Sequence, residues 1–302
     1  MARRAISGIL ILDKPKGITS NAALQRVKRL YNAAKAGHSG SLDPVATGLL
    51  PICLGEATKF SRFLLDADKH YRVSANLGIR TETGDTEGKV ISTGKVDCSL
   101  TTLQSVLENF RGNILQVPSM YSAIKYQGQP LYKLARQGIT VDREAREISI
   151  YSLEILSFSE NILELEVHAS KGTYIRSLVD DIGEALGCGA HVLELRRLKA
   201  GPYIADQMLT LETLEQVAES EGIEALDRFL LPVESAVASM PDVKLSDSTA
   251  FYIGQGQAVI VPHAPANGWV RLKNGEHFLG IGEILEDGRV TARRLTNKVV
   301  SF

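Results

Sequence analysis

The chain has 302 residues, 44% of them hydrophobic and 23% charged, with a formal net charge of −1; this builds one large domain, or a large and a small one, and excludes a disordered chain. Cys53, Cys98 and Cys188 are widely spaced with no C-x-x-C pair, and the histidines show no ligand spacing. Neither a disulfide framework nor a metal site is expected, and a reducing cytoplasm is the compartment that suits such thiols.

The apolar run Ile9 to Leu12 predicts a strand. It is too short for a secretory signal, Asp13 and Lys14 end it, and no other run approaches transmembrane length, so no membrane association is expected. "DKPKGITS" is a loop because Pro15 and Gly17 forbid regular structure, and Ser20 is placed to cap an amphipathic helix over "NAALQRVKRLYN". Leu49 to Leu54 reads as a short buried strand, 56 to 65 as a helix, and "KHYRVSANLG" (69 to 78) alternates as a half-buried strand does. Residues 99 to 110 look helical with Ser99 as cap. From 119 to 147 the chain is polar and rich in Lys, Arg, Gln and Gly, a mobile surface excursion with one short helix at 130 to 136.

"EISIYSLEILSF" and "NILELEVHAS" alternate as strands, "GTYIRSLVDDIGEAL" is an amphipathic helix opened by Gly172 and Thr173, and "AHVLELRRLKAG" is another strand. Residues 210 to 230 predict two helices, and the two prolines of "LPVESAVASMPDVKLS" mark a boundary. Residues 245 to 302 predict one short helix, then "WVRLKN", "HFLGIGEILEDGR" and "VTARRL" as short strands. Runs of strands with helices between only some of them imply an α+β fold with a mixed sheet and not a βαβ repeat.

The charge is segregated. Residues 211 to 234 carry seven acids against Arg228 alone, whereas residues 1 to 35 hold eight basic side chains against Asp13. "LRRLK" (195 to 199) and "RVTARRLTNK" (289 to 298) add further basic groups, the kind of cluster a phosphate backbone attracts.

A single carboxylate, Asp43, sits in "AGHSGSLDPVATG" among Gly37, Gly40 and Gly48, with His38 and the hydroxyls of Ser39, Ser41 and Thr47 nearby. An acid before proline is by itself a turn device, but here glycines allow a ligand to approach the backbone. "GHSGSLDPVATGLLPICLGEATKF" resembles the central signature of the bacterial tRNA pseudouridine synthase B family. "LDKPKGITS", "KHYRV", "PSMYSAIKYQGQPLYKLARQG", "SKGTYIRSLVDDIGEALGCGAH" and "LRRL" resemble that family's other blocks in the same order, over most of residues 8 to 200. Ser39 stands where threonine is commoner, which keeps the hydroxyl.

The resemblance implies a pseudouridine synthase domain over residues 1 to 235, with a mixed, largely antiparallel central sheet and flanking helices. Within it, 119 to 147 would be a mobile, thumb-like RNA-contacting insertion. A β-rich RNA-binding module similar to the PUA type would occupy 245 to 302. The implied activity is cofactor-free conversion of the T-loop uridine (position 55) of tRNA to pseudouridine. Asp43 would be the catalytic nucleophile, Arg176 its active-site arginine and Tyr71 the ring on the target base; Tyr174 and Leu195 would wall the pocket, and His38 would enter the T-loop. The base must leave the stack to react. No obligate protein partner is implied, and a monomer is expected. Three other readings use the same residues: a guide-RNA-dependent catalytic subunit, which usually carries longer basic tails; an RNA-binding or tRNA-folding protein; and an aspartate-nucleophile hydrolase, which would not explain the basic termini. The residue pattern also allows Arg176 to pair with Asp180 one helical turn away.

Overall fold

The alternation in residues 69 to 77 places Tyr71, Val73, Ala75 and Leu77 on one buried face of a strand at the centre of the protein. The computed structural model describes residues 2–297; Lys298, the last basic residue of the 289 to 298 cluster, lies outside them with the end of the C-terminal module. The elements in chain order are β1 (Gly8–Lys14), α1 (Ser20–Leu30), β2 (Ala36–His38), β3 (Thr47–Leu54), α2 (Ser61–Leu65), β4 (Lys69–Leu77), β5 (Ile79–Thr81), β6 (Val90–Thr93) and α3 (Leu100–Glu108). Then come β7 (Gly112–Gln116), β8 (Lys125–Tyr126), β9 (Gln129–Pro130), α4 (Leu131–Ala135), β10 (Arg146–Ser159), β11 (Ile162–Ala169), α5 (Ile175–Ala185), β12 (Ala190–Ala200), β13 (Tyr203–Ile204) and α6 (Leu211–Glu221). The last are β14 (Asp242–Leu245), α7 (Asp247–Gly254), β15 (Gly268–Asn274), β16 (His277–Ile284) and β17 (Val290–Leu295).

The large sheet has nine strands in the order β1-β3-β12-β4-β11-β10-β7, with β2 on β3 and β13 on β12. Every pairing in it is antiparallel except β3 with β12, so the fold is the expected mixed, largely antiparallel α+β sheet with flanking helices. β1 is apolar at consecutive positions because both its faces are covered. Leu10 and Leu12 enter the main core, while Ile9 and Ile11 enter a second core on the other side. Its outer edge is closed by backbone hydrogen bonds to Leu231 and Leu209, which removes an open strand edge.

Several local expectations change. Thr19, not Ser20, caps α1 and accepts from the Ala22 amide; the Ser20 hydroxyl instead bonds the amide and carbonyl of Leu42, at 2.7 and 2.9 Å. The helix expected at 56 to 65 is a 3-10 turn, Gly55–Lys59, followed by α2. Phe60 breaks the run at φ −111°, ψ 0° while its ring enters the second core. The second helix of 210 to 230 is a 3-10 segment, Ile223–Phe229. β2 and the β5–β6 hairpin have no clear sequence signal, being too short for a periodicity to register.

Residues 119 to 147 form the two-residue hairpin β8–β9 and the short helix α4, near the helix expected there. Arg143 ties the end of this excursion to its start by donating to the Pro118 carbonyl at 3.0 Å. The C-terminal strands form a separate four-stranded sheet, β14-β15-β16-β17, with its own core around Val270, Leu272 and Val290. This sheet begins at Asp242, ahead of residue 245, because β14 pairs in parallel with β15. It packs on the large domain through the second core: Phe278 lies 5.4 Å from the buried Phe60 and Trp269 5.7 Å from Phe63, and Ile281 joins the same cluster.

Candidate active site

The loop after β2 carries Asp43, and its shape follows from its anchors. Ser20 holds Leu42, the Gly17 amide donates to the Pro44 carbonyl at 2.8 Å, and the Ala46 amide closes back on the Asp43 carbonyl. Proline after Asp43 keeps the acid extended, and the carboxylate is aimed at the first turn of α5. That turn starts after Tyr174, whose backbone is clamped on both sides by the buried Gln116. Gln116 Oε1 accepts from the Tyr174 amide at 2.8 Å, and its Nε2 donates to the Tyr174 carbonyl at 3.1 Å. Behind the turn, Gly183 lets α5 press against the backbone of Gly189 and Ala190, where any Cβ would collide.

Arg176 lies in the first turn of α5, and a helical side chain there leans back toward the N-terminus. Its Nη2 meets the Asp43 carboxylate at 2.8 Å, and its Nη1 stands 3.4 Å from Asp85. The same two nitrogens donate to the carbonyls of Thr83 and Tyr121, at 2.8 and 2.9 Å. The side chains of Arg176 and Asp85 are 6% and 4% exposed, whereas that of Asp43 is 41% open, so the buried pair holds an accessible acid. Asp180 is not the partner of Arg176: it pairs with Arg80 at 2.6 Å.

Asp85 is the residue that sequence reasoning missed. It sits in "TGDTEG", fixed by Thr83, which donates to its carboxylate at 2.5 Å, and by the Glu87 amide at 3.0 Å. The only signal for it was an acid in a tight Gly-bounded turn, a pattern shared with many ordinary turns.

The Asp43 carboxyl is pushed above the ordinary carboxylate value. Burial among protein atoms is the main cause, Arg176 opposes it, Asp85 adds to it, and Lys14 opposes it more weakly. Arg176 therefore limits a rise that it does not cancel. Lys14 is fully buried, donates to the carbonyls of Pro15 and Ile18, and is lowered to about 8 chiefly by burial.

Asp43, Tyr71, Tyr174, Arg176 and Leu195 all line one cleft of about 330 Å³. Tyr71 reaches it from β4 and Leu195 from β12, which neighbour each other in the sheet. Burial raises the Tyr174 phenol above its usual value, so it stays a neutral donor at neutral pH. His38 is not part of this wall. It sits on β2 ahead of the loop, its Nδ1 buried without a partner among the described residues, and it is held below the usual imidazole value by burial and then by the Arg197 charge. Among the described residues no cluster of three or more His, Cys, Asp or Glu could hold a metal ion, and no helix is long and apolar enough to cross a membrane. An accessible carboxylate with a buried cation behind it and aromatic walls beside it is equipped to attack an electrophilic carbon of a flat ligand.

Known proteins and family models resemble the chain over nearly its whole length. Residues 28–175 match the TruB family pseudouridylate synthase N-terminal domain, 176–238 the tRNA pseudouridylate synthase B C-terminal domain, and 241–296 the pseudouridine synthase II TruB C-terminal domain. A protein of Tolumonas auensis named tRNA pseudouridine synthase B is 59% identical over 97% of this chain and 93% of its own length. One of Coxiella burnetii with the same name is 57% identical over 98% and 96%. Among solved structures, an H/ACA RNP bound to a substrate RNA containing 2′-deoxyuridine matches with TM-score 0.73 at 27% identity, covering 95% of this chain and 84% of that one. A Cbf5-Nop10-Gar1 complex matches with TM-score 0.74 at 28% identity over the same shares.

Proposed function

The chain belongs to the TruB family of pseudouridylate synthases, and from that premise we propose that it isomerises uridine 55 in the T-loop of tRNA to pseudouridine, as a cytoplasmic monomer without a cofactor. The observation that carries this reading is the 2.8 Å pair of the accessible Asp43 with the buried Arg176, in a cleft walled by Tyr71, Tyr174 and Leu195.

The reaction exchanges the N1–C1′ bond of uridine for a C5–C1′ bond. N1 gains a proton and C5 loses one, so no electrons or atoms need an external carrier. Asp43 acts as the nucleophile that lets the base detach, turn and rejoin. Arg176 holds that carboxylate against the cleft wall, and Asp85 holds Arg176. The base is drawn out of the T-loop at a cost of a few kcal/mol, offset by stacking on Tyr71 and by phosphate contacts. His38, neutral and planar, occupies the space vacated in the loop, and the 119 to 147 excursion orders over the bound arm.

The test is tritium release from C5-labelled uridine in an unmodified tRNA transcript, against a transcript with cytidine at position 55. Release from the first alone is expected; equal release from both, or from neither, would sink the assignment. A guide-dependent reading draws on the structural likeness to the H/ACA complexes. It predicts no release without an added guide RNA, and the far higher identity to the tRNA synthases argues against it.

Two further outcomes are expected. Isomerisation of a prefolded T-arm hairpin should proceed unchanged in EDTA; loss with chelator and return with zinc or magnesium would contradict a metal-free step. Arg294 is exposed on β17, and its assigned role is to touch phosphate and not the target base. Arg294→Ala should weaken tRNA binding several-fold and reduce the slope of log affinity against log salt by about 0.7–0.9. Its single-turnover rate at saturating enzyme should stay at the wild-type value; an unchanged affinity and slope would remove the residue from the interface. A point substitution is needed because deleting the small module would strip Phe278 and Ile281 from the core around Phe60.

A further inference from the structure

Two cations stand in the wall of the active-site cleft, and among the described residues neither is in an ion pair. Lys69 is 7% exposed and Arg197 1%, and both line the cleft that holds Asp43. Burying a charge without a counter-ion is expensive unless something else satisfies it. Lys69 donates to the carbonyls of Leu65 and Ala67, and Arg197 donates to those of Leu49 and Gly40. Those bonds satisfy donors but supply no counter-charge; Asp68 and Asp66 act on Lys69 only at longer range, and among the described residues neither cation forms an ion pair. The nearby acids are engaged elsewhere: Asp66 pairs with Lys171 at 3.0 Å, and Asp68 accepts from Tyr151 at 3.3 Å.

The Arg197 guanidinium and the stem of Lys69 both pass close to Gly40, which adopts φ +72°. A Cβ there would lie 3.3 Å from Arg197 Nη1 and 3.8 Å from Lys69 Cε. Glycine thus leaves the cationic pair uncovered on the side facing the cleft. After their carbonyl bonds, one Lys69 N–H and the Nη1 group of Arg197 have no partner among the described residues. The lysine is lowered to about 8 by burial and then by the arginine beside it, a mutual strain that an incoming anion would relieve.

We propose that Lys69 and Arg197, uncovered by Gly40, form an anion subsite of the cleft that takes one RNA backbone phosphate flanking the extruded uridine. The inference rests on the reading of the cleft as a uridine-isomerising site. It adds that the cleft holds the nucleotide at two points, the base against Tyr71 and the phosphate at this pair. Fixing both ends of the sugar is what would keep C1′ before Asp43 while the base turns between its two attachments.

The experiment is equilibrium binding of the full chain to T-arm hairpins carrying a single uncharged methylphosphonate, either 5′ or 3′ of the target uridine. Wild type should bind one of the two about tenfold more weakly than the all-phosphate hairpin, the size of one charge-assisted contact. Lys69→Met should bind the all-phosphate hairpin weakly and show less than about a twofold further loss with that methylphosphonate; Lys69→Arg should keep the discrimination. If Lys69→Met fails to fold by near-ultraviolet circular dichroism, Lys69→Gln replaces it, since the amide can still donate to Leu65 and Ala67. Wild type indifferent to both methylphosphonates would overturn the subsite. So would a Lys69 variant as sensitive to them as wild type, because the phosphate would then be held by other residues. Binding is read without turnover, so failure of the subsite leaves tritium release intact, whereas failure of the isomerase reading abolishes release whatever the binding shows.

Discussion

Asp43→Asn is expected to abolish isomerisation, by about 10⁴-fold or more in single-turnover rate, while the protein stays folded and binds tRNA. The amide has the shape of the carboxylate and loses only its nucleophilicity. Stability should move the other way from activity. The folded protein holds the Asp43 carboxyl above its unfolded value, chiefly by burial, so the native state binds that proton more tightly than the unfolded chain does. Ionisation at neutral pH therefore works against the fold, and that penalty vanishes below the unfolded value. A neutral amide removes it, and Arg176 keeps Asp85 as a counter-ion. The expected melting temperature of Asp43→Asn at pH 7 is equal to or above that of wild type. Substantial turnover would remove Asp43 from the nucleophile's role, and a large loss of melting temperature would contradict the effect of burial on its carboxyl.

Arg176→Met is the second large effect. Arg176 is the strongest influence opposing the rise of the Asp43 carboxyl, so its loss should raise that group further and reduce the anion at pH 7. The expected loss is about 10²–10³-fold at neutral pH. In wild type the rate should fall as pH drops through the raised Asp43 value. In Arg176→Met this acid limb should lie at higher pH, with part of the rate returning as pH rises, and Asp43→Asn should show no such recovery. Arg176→Lys should recover only part, because an ammonium cannot serve Asp43, Asp85 and two carbonyls with one planar fork.

The same substitution leaves Asp85 buried without its cation, which should cost about 3–5 kcal/mol. The rates must therefore be compared well below the variant's melting temperature, with enzyme saturating over tRNA. Adding Asp85→Asn should restore much of the stability and none of the rate. A near wild-type rate for Arg176→Met would reduce Arg176 to a structural link between the loops of Asp43 and Asp85. A dead enzyme at every pH would mean that it acts by placing the carboxylate and not by setting its charge.

Much of the fold was legible in local pattern. The period-2 alternation at 69 to 78 and in 147 to 170 became β4, β10 and β11, and the apolar stripe of 172 to 186 became α5. These segments are long, and one face of each meets the core, so the burial pattern is written into the residues themselves. The residues lining the cleft were legible only through a resemblance spanning several ordered blocks. Taken alone, Asp43 reads as a turn residue, Tyr71 as an inward residue of an alternating strand, and Arg176 as able to pair with Asp180, because local chemistry permits each of those roles.

Which charges meet was decided by the tertiary structure. The return of β12 beside β4 places Leu195 near Tyr71, and the clamp on Tyr174 aims the first turn of α5 at the Asp43 loop. Asp180 goes to Arg80, which leaves Arg176 to Asp43 and Asp85, three residues from three separate segments of the chain. Arg197 belonged in sequence to a basic cluster and Lys69 to the start of a half-buried strand, yet their strands carry both into the cleft wall. The sequence by itself determined the alternation, the Ser99 cap and the glycine turns, because those depend on neighbours a few residues away. The pairing of ions, the rise of the Asp43 carboxyl and the docking of the small sheet on Phe60 depend on groups that are distant in the chain and adjacent only when folded, and no local pattern encodes such distances.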